Sequence, residues 1–549
     1  MPSSQELDDL AVENFRTYLR FPTVHPNPDY TVAVDWLRNE GVKMGLECFV
    51  TEIVANNPLL VMRWCGSEPS LRSIMLNSHM DVVPVEREKW SHDPFAAEMS
   101  PDGNIYGRGA QDMKSVGIQH LEAVRRLKVE GFVPRRTIYL TFVPDEEVGG
   151  GRGMQPFVAG TKPDRAGAAE EISFAEMNVG LCLDEGIACP RADVFYAFYE
   201  ERSPWWVSFL IPGNAGHGSR FIEDTAVEKL HRLMGRLLAF RDAEKRKLEQ
   251  MNGNDLALGS VVTSNINVIK GGIEPNIVPG EIEVQVDFRL PPTLDFAAFE
   301  RQIYKWADES GKGIEVKYIQ KDMSTTGHGN FSDSYDSNDQ VVEALKSAAC
   351  SIGAHVEVGV FFGSTDARFL RRWHNFHADE RPIKAYGFSP MCGVPVLLHD
   401  HDEYLNKKTF LDGVGVFKSF IAEVAMMVKF LAKDMGTGGN GCVDIPIDSH
   451  PNDVWWSNLE AVLSARSIRL QTGISGGAND DRYLRQYHRL YAPNSKPIKA
   501  ISFSPLRDTP ILHHASDEFV NRRAFLEGVE ILTEVVRAIA SVECQEDDA

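Results

Sequence analysis

Residues 137–150 read TIYLTFVPDEEVGG. The first seven are almost all β-branched, aromatic or leucine, the composition of a buried strand. A proline follows, then three acids in a row, Asp145, Glu146 and Glu147, and then a pair of glycines. The neighbouring segments repeat this plan of a strand ending in polar ligand-type residues. Upstream, the apolar run SIMLN reads as a second buried strand and ends at His79, with Asp81 two residues further on. Downstream, GLCLDE (180–185) reads as a third and ends at Glu185. Between the first two, residues 113–130 carry Ile118, Leu121, Val124 and Leu127 at helical spacing and stop at Gly131. Asp112 lies in the glycine-bearing loop YGRGAQDMK just before that helix. Two more helix-like stretches, about 8–20 and 31–46, come earlier. Strands alternating with helices imply an α/β fold with a mostly parallel sheet.

Working outward, the pattern changes after Pro190. A strand within YEERSPWWVSFLIPG, a long charged helix over 223–250 and the strands TSNINVIKGG and EIEVQVDFRL follow. A helix near 296–310 and the strand GIEVKYI complete a β-α-β-β-α-β order. That order suggests an inserted α+β unit of the ferredoxin-like kind over 190–312. The expected organisation is a first catalytic part over 1–189, the insert, and a second catalytic part over 313–432. A Gly-, Pro- and Asp-rich linker occupies 433–451 and a final segment 452–541.

That final segment repeats the one before the linker. Residues 381–414, RPIKAYGFSPMCGVPVLLHDHDEYLNKKTFLDGV, align with residues 496–529, KPIKAISFSPLRDTPILHHASDEFVNRRAFLEGV, and half of the aligned positions are identical. Each copy carries a His-x-x-x-Glu frame, His399 to Glu403 and His514 to Glu518. Two copies are too few for a solenoid.

At 549 residues the chain calls for more than one ordinary core. Its formal net charge of −21 argues against nucleic-acid or anionic-membrane binding, which require basic surfaces. The opening MPSSQELDDL shows no secretory pattern, and eight cysteines lie scattered without C-x-x-C spacing. These features lead us to expect a cytoplasmic protein with reduced thiols.

In open α/β sheets, ligands bind at the carboxyl ends of the strands. His79, Asp81, Asp112, Glu146, Glu147 and Glu185 all fall there in this reading. Carboxylates gathered at one edge repel unless protonated or bridged by a cation, and a histidine among them suits zinc. Adjacent side chains in an extended segment point apart, so Glu146 and Glu147 should divide the work between general base and ligand. Asp81 is spaced to orient the His79 imidazole. Each residue alone has an ordinary use; Asp112, for instance, could cap the helix that follows. The set, in order and at strand ends, carries the functional reading. The chain has no P-loop, no G-x-S-x-G elbow and no H-E-x-x-H.

The motifs LNSHMDVVPV, WSHDPF, YGRGAQDMK, FVPDEEVGG, ERSPWWV, GHGSRF and LLHDHDE resemble the aminoacylase-1 branch of a metallopeptidase family. That family also holds glutamate carboxypeptidases and succinyl-diaminopimelate desuccinylases. The resemblance covers about residues 7–430. It implies a zinc hydrolase of N-acyl-L-amino acids with two Zn2+ per subunit. Asp112 would bridge the ions, His79 and Glu185 would complete one shell, and Glu147 and His399 the other. Glu146 would be the general base and Asp81 the orienting carboxylate. The resemblance also implies that the insert is a lid and dimerisation domain of a homodimer. His217 would then reach the partner's site, and Asn276, Arg289 and Arg368 would hold substrate.

Alternatives are a related dinuclear-zinc dipeptidase and an inactive metal-binding interaction protein. Only one tail copy can complete the catalytic sheet. The first follows the insert directly and keeps LLHDHDE, so His399 and Arg368 are expected there rather than His514 and Arg482. The acidic stretch 160–178 departs from the family pattern and has no assigned role.

Overall fold

A computed structural model describes residues 2–161, 171–251, 255–322, 339–373 and 383–427. The chain divides into two units, Met1–Asp434 and Met435–Ala549, and every described residue lies in the first. The linker expected at 433–451 and the second tail copy, with Arg482 and His514, lie outside the described residues. So does 162–170, the middle of the acidic stretch.

The larger sheet has eight strands. Their spatial order is Glu47–Val54, Asn57–Trp64, Ile138–Val143, Ser73–His79, Val179–Asp184, Lys384–Phe388, Val194–Glu201 and His355–Phe361. Ile138–Val143, Ser73–His79, Val179–Asp184 and Lys384–Phe388 are mutually parallel neighbours. An antiparallel hairpin, Glu47–Val54 with Asn57–Trp64, closes one edge. Val194–Glu201 runs antiparallel to Lys384–Phe388 and parallel to His355–Phe361.

Strand alternation feeds two cores. Ile74, Leu76, Ile138, Leu140, Phe142, Leu181 and Leu183 face one way, into the core shared with the helices Ser4–Leu19, Thr31–Lys43, Lys114–Val129, Gln340–Cys350 and Lys407–Met426. Met75, Tyr139, Val143 and Cys182 face the other way, against Phe157, Phe174, Leu370 and Trp373. Both faces are covered, which is why these strands read as unbroken apolar runs rather than alternating ones. Helix starts are encoded locally. Ser3 with Glu6 forms a capping box for Ser4–Leu19, and Thr225 with Glu228 does so for Ala226–Gln250.

A second, four-stranded sheet is antiparallel throughout, ordered Thr263–Gly271, Glu281–Leu290, Ser203–Pro212 and Glu315–Lys321. Ile282, Val284, Val286, Phe288 and Leu290 are buried with residues of the helices Ala226–Gln250 and Phe296–Ser310. The alternate residues, Arg289 among them, lie on the opposite face.

Both expected boundaries of the insert, 190 and 312, fall between elements and not at a change of sheet. Val194–Glu201, beyond the break at 190, pairs in the large sheet, and Glu315–Lys321, beyond 312, pairs in the small one. Residues 194–212 are mostly aromatic and apolar, broken by the polar block Glu200, Glu201, Arg202 and Ser203 and by Ser208. That polar block falls where the chain leaves the large sheet, at Glu201, for the small one, at Ser203, ten residues or more beyond the expected boundary at 190. Among the described residues, no helix is long and apolar enough to cross a membrane.

Candidate metal centre

The four parallel neighbours deliver their polar residues to one edge. His79 is the last residue of its strand, Glu185 directly follows Val179–Asp184, and Glu146 and Glu147 lie three and four residues past Ile138–Val143. His399 arrives in the segment between Lys384–Phe388 and Lys407–Met426. Asp112 precedes Lys114–Val129. The residue at the helix cap is Met113, with no side-chain hydrogen bond to the helix, so Asp112 is not spent on capping.

Asp112 sits at the centre of the group. Its Oδ1 lies 3.0 Å from His79 Nε2, which is also 3.4 Å from Glu185 Oε2. Its Oδ2 lies 3.1 Å from His399 Nε2, which is 3.0 Å from Glu147 Oε2. The ligand atoms of His79, Asp112 and Glu185 lie within 4.8 Å of one another, as do those of Asp112, Glu147 and His399. One carboxylate thus offers an oxygen to each of two triads.

The electrostatics fit cations. Burial and the Asp112 charge push the Glu185 carboxyl well above the usual range, and burial and Glu185 do the same to Glu146. Burial and Asp112 push Glu147 up to about 7, and its Oε1 is buried without a hydrogen-bond partner. Hydrogen bonds to Asp112 and Glu147 raise His399 to about 10. Burial opposes protonation of His79, but Glu185 and Asp112 still hold its pKa well above normal. Both imidazoles thus lie where the surrounding carboxylates favour positive charge. Divalent ions supply that charge without the protons, and the mixed imidazole and carboxylate donors suit a borderline-soft ion.

Glu146 and Glu147 occupy a 3-10 turn, Glu146–Val148, rather than an extended segment. With about three residues per turn, neighbouring side chains still diverge by roughly a third of a circle. Glu147 joins the second triad and Glu146 joins neither. The turn hangs on Asp81, whose carboxylate accepts from Glu146 N (3.2 Å) and Glu147 N (3.0 Å). Asp81 reaches the His79 imidazole mainly through its backbone carbonyl, 2.9 Å from Nδ1; its carboxylate is 3.7 Å away. The second Asp81 oxygen also takes His25 Nε2 at 2.8 Å. His25 belongs to no motif and lies far away in sequence, so nothing in the chain announced it.

The four residues expected to bind substrate divide into two groups. Arg368 is buried beside the centre, donating to Gly149 O at 2.9 Å. His217 and Asn276 are exposed and adjacent, because Gly216–His217 pairs with Ile277–Val278 and Gly218 N donates to Asn276 O at 2.8 Å. The charged partner of Arg289 is Asp287, at 2.9 Å. The polar contacts described for these last three do not reach the carboxylate cluster.

The peptidase family M20/M25/M40 matches residues 75–423. Aminoacylase-1 of Sus scrofa is 45% identical over 415 residues, covering 76% of this chain and 95% of the relative. Aminoacylase-1 of Homo sapiens is 43% identical with the same coverage. Among solved structures, an M20 family metallo-carboxypeptidase from Sulfolobus solfataricus superposes with a TM-score of 0.56 at 15% identity, covering 76% of this chain and 99% of that one. Human carnosine dipeptidase 1 gives 0.52 at 15% identity, covering 76% and 97%. These two likenesses speak for the fold. The chain belongs to the M20/M25/M40 peptidase family and is, within it, aminoacylase-1-like.

Proposed function

We propose that this protein is an N-acyl-L-amino-acid amidohydrolase, releasing a carboxylate and a free L-amino acid. The observation that carries the reading is Asp112 shared between two triads, with Glu146 beside them and outside both. His79, Asp112 and Glu185 would hold one zinc ion, and Asp112, Glu147 and His399 the other. When bound, such a pair supplies Lewis acidity toward water and the scissile carbonyl.

The residues of the chain do the rest. Glu146 takes a proton from the attacking water as the new C–O bond forms. It then gives that proton to the amide nitrogen as the C–N bond breaks. Asp81 keeps Glu146 aimed by holding its backbone amide. Arg368 is the nearest of the proposed substrate-binding residues and would pair with a free α-carboxylate.

His217, Asn276 and Arg289 belong to a substrate-enclosing and dimerising insert in this reading, with His217 serving the partner's site. The exposure of Phe221 and Ile273, 106% and 88%, on the same outcrop as His217 and Asn276 supports an apolar contact there. The free thiols of the six described cysteines agree with a cytoplasmic home.

A panel of N-acetyl amino acids and dipeptides, run with wild type and Glu146→Gln, tests the assignment. Glu146→Gln should keep its metal and lose about 10²–10⁴-fold in kcat, the usual worth of a general base. Near-normal turnover by the variant, or cleavage of dipeptides alone, would overturn it.

A further inference from the structure

The His-x-x-x-Glu frame of the tail contains a glutamate to which the proposed reaction gives no part. Glu403 is fully buried, 0% exposed. Its Oε2 accepts from Arg108 Nη1 at 2.7 Å and Gly109 N at 3.1 Å. Its Oε1 accepts from Gln111 N at 2.6 Å and Asp112 N at 3.2 Å. A carboxylate has about four acceptor positions, and here all are used on the residues leading to the shared ligand.

Gln111 makes the reciprocal connection. Its Nε2 donates to Pro395 O (3.1 Å) and Tyr404 O (3.0 Å), and its Oε1 accepts from Leu397 N (3.0 Å). These three partners flank His399. The backbone there needs holding: His399 and Asp402 both have positive φ, 61° and 51°. Non-glycine residues seldom adopt that region unless their surroundings impose it. Asp402 is held in turn by Ser91, through N (2.8 Å) and Oγ (2.7 Å).

We propose that Glu403 and Gln111 form a positioning clamp for the metal centre. Glu403 fixes the loop that presents both oxygens of Asp112, and Gln111 fixes the tail segment that presents His399. A salt bridge serving stability alone would need only Arg108. Here three backbone amides within the four residues ending at Asp112 converge on the same carboxylate. The inference rests on the two-ion reading of the site.

The test is zinc binding to the full-length chain, followed by competition with a chromogenic chelator, with near-ultraviolet circular dichroism as the check on folding. Wild type should hold two zinc ions; any other stoichiometry counts against the two-ion reading itself, before any variant is made. His399→Ala should weaken one ion. Glu403→Gln puts an amide nitrogen among donors and disturbs the ligand common to both triads. It should weaken both ions together, by about 10–100-fold, the usual effect of losing a partner that orients a ligand. A role in folding alone would lower the melting temperature and leave both affinities unchanged, and that result would overturn the clamp.

Gln111→Ala leaves no buried charge unpaired and keeps the test open should Glu403→Gln fail to fold. It should weaken the His399 ion selectively, and unchanged affinity would again refute the proposal. Glu518→Gln, at the matching position of the second copy, should have no effect. Loss of zinc in Glu518→Gln but not in Glu403→Gln would overturn the assignment of the clamp to the first copy.

Discussion

His120 gives this protein a specific weakness to acid. It lies in the middle of Lys114–Val129, is 1% exposed, and packs edge-on against Phe417 with ring centroids 4.3 Å apart. Neither ring nitrogen has a hydrogen-bond partner, and burial alone pushes its pKa down to about 3. The unfolded chain protonates this histidine near pH 6.5, while the folded chain does so only near 3. Above 6.5 both states are neutral and His120 adds no pH dependence. As the pH falls below 6.5 the unfolded state gains a proton that the native state refuses, so stability is lost until about pH 3. The full loss is about 5 kcal/mol at 1.36 kcal/mol per unit, and about 2 kcal/mol of it falls between pH 7 and pH 5. His120→Leu keeps an apolar side chain against Phe417 and removes the titration. Urea unfolding of both proteins at pH 7 and pH 5 reads the difference directly. The metal-site histidines and every other group are common to both proteins and cancel. Wild type should lose about 2 kcal/mol more than His120→Leu over that interval. Equal losses would show that His120 is solvated or paired, and the argument from burial would fail.

Four further outcomes are expected. Zinc binding should release protons at pH 7, because the raised pKa values of His79 and His399 keep both imidazoles protonated beforehand. Calorimetry in buffers of different ionisation enthalpy would measure that release, and buffer-independent heats would contradict it. Removing metal with a chelator should lower the melting temperature. Each ion present at a hundred times its dissociation constant adds about 2.7 kcal/mol. Gly117→Ala should destabilise by about 1–3 kcal/mol, because a new Cβ would lie 2.8 Å from Ser78 Oγ and 3.0 Å from Phe142 Cε1; a calorimetric scan checks this. His25→Ala should reduce kcat with little effect on KM, because it acts on Asp81, which positions Glu146, rather than on substrate; a rise in KM alone would argue against this.

Much of the site could be read from the chain because its residues stand at the ends of apolar runs. His79 ends an apolar strand, Glu146, Glu147 and Glu185 each follow one, and adjacent parallel strands must end at the same edge. The divergence of Glu146 and Glu147 was legible too, although it arises in a turn rather than in an extended segment. The antiparallel hairpin at Glu47–Trp64 left no sequence expectation, and the passage from one sheet to the other at Arg202 is marked only by the short polar block Glu200–Ser203, which reads as an ordinary break between two strands.

By itself, the sequence determined the fold class, the inventory of ligand-type residues and their order along the edge, because strand composition and chain direction are local properties. Tertiary structure alone decided which atoms meet. It set the two oxygens of Asp112 toward different histidines, turned the Asp81 carboxylate to the amides of Glu146 and Glu147, and brought Glu403 to the loop before Asp112. These are contacts between segments distant in the chain. Their energy comes from burying charges that must find partners, and no pattern along a single strand can show where the partner lies.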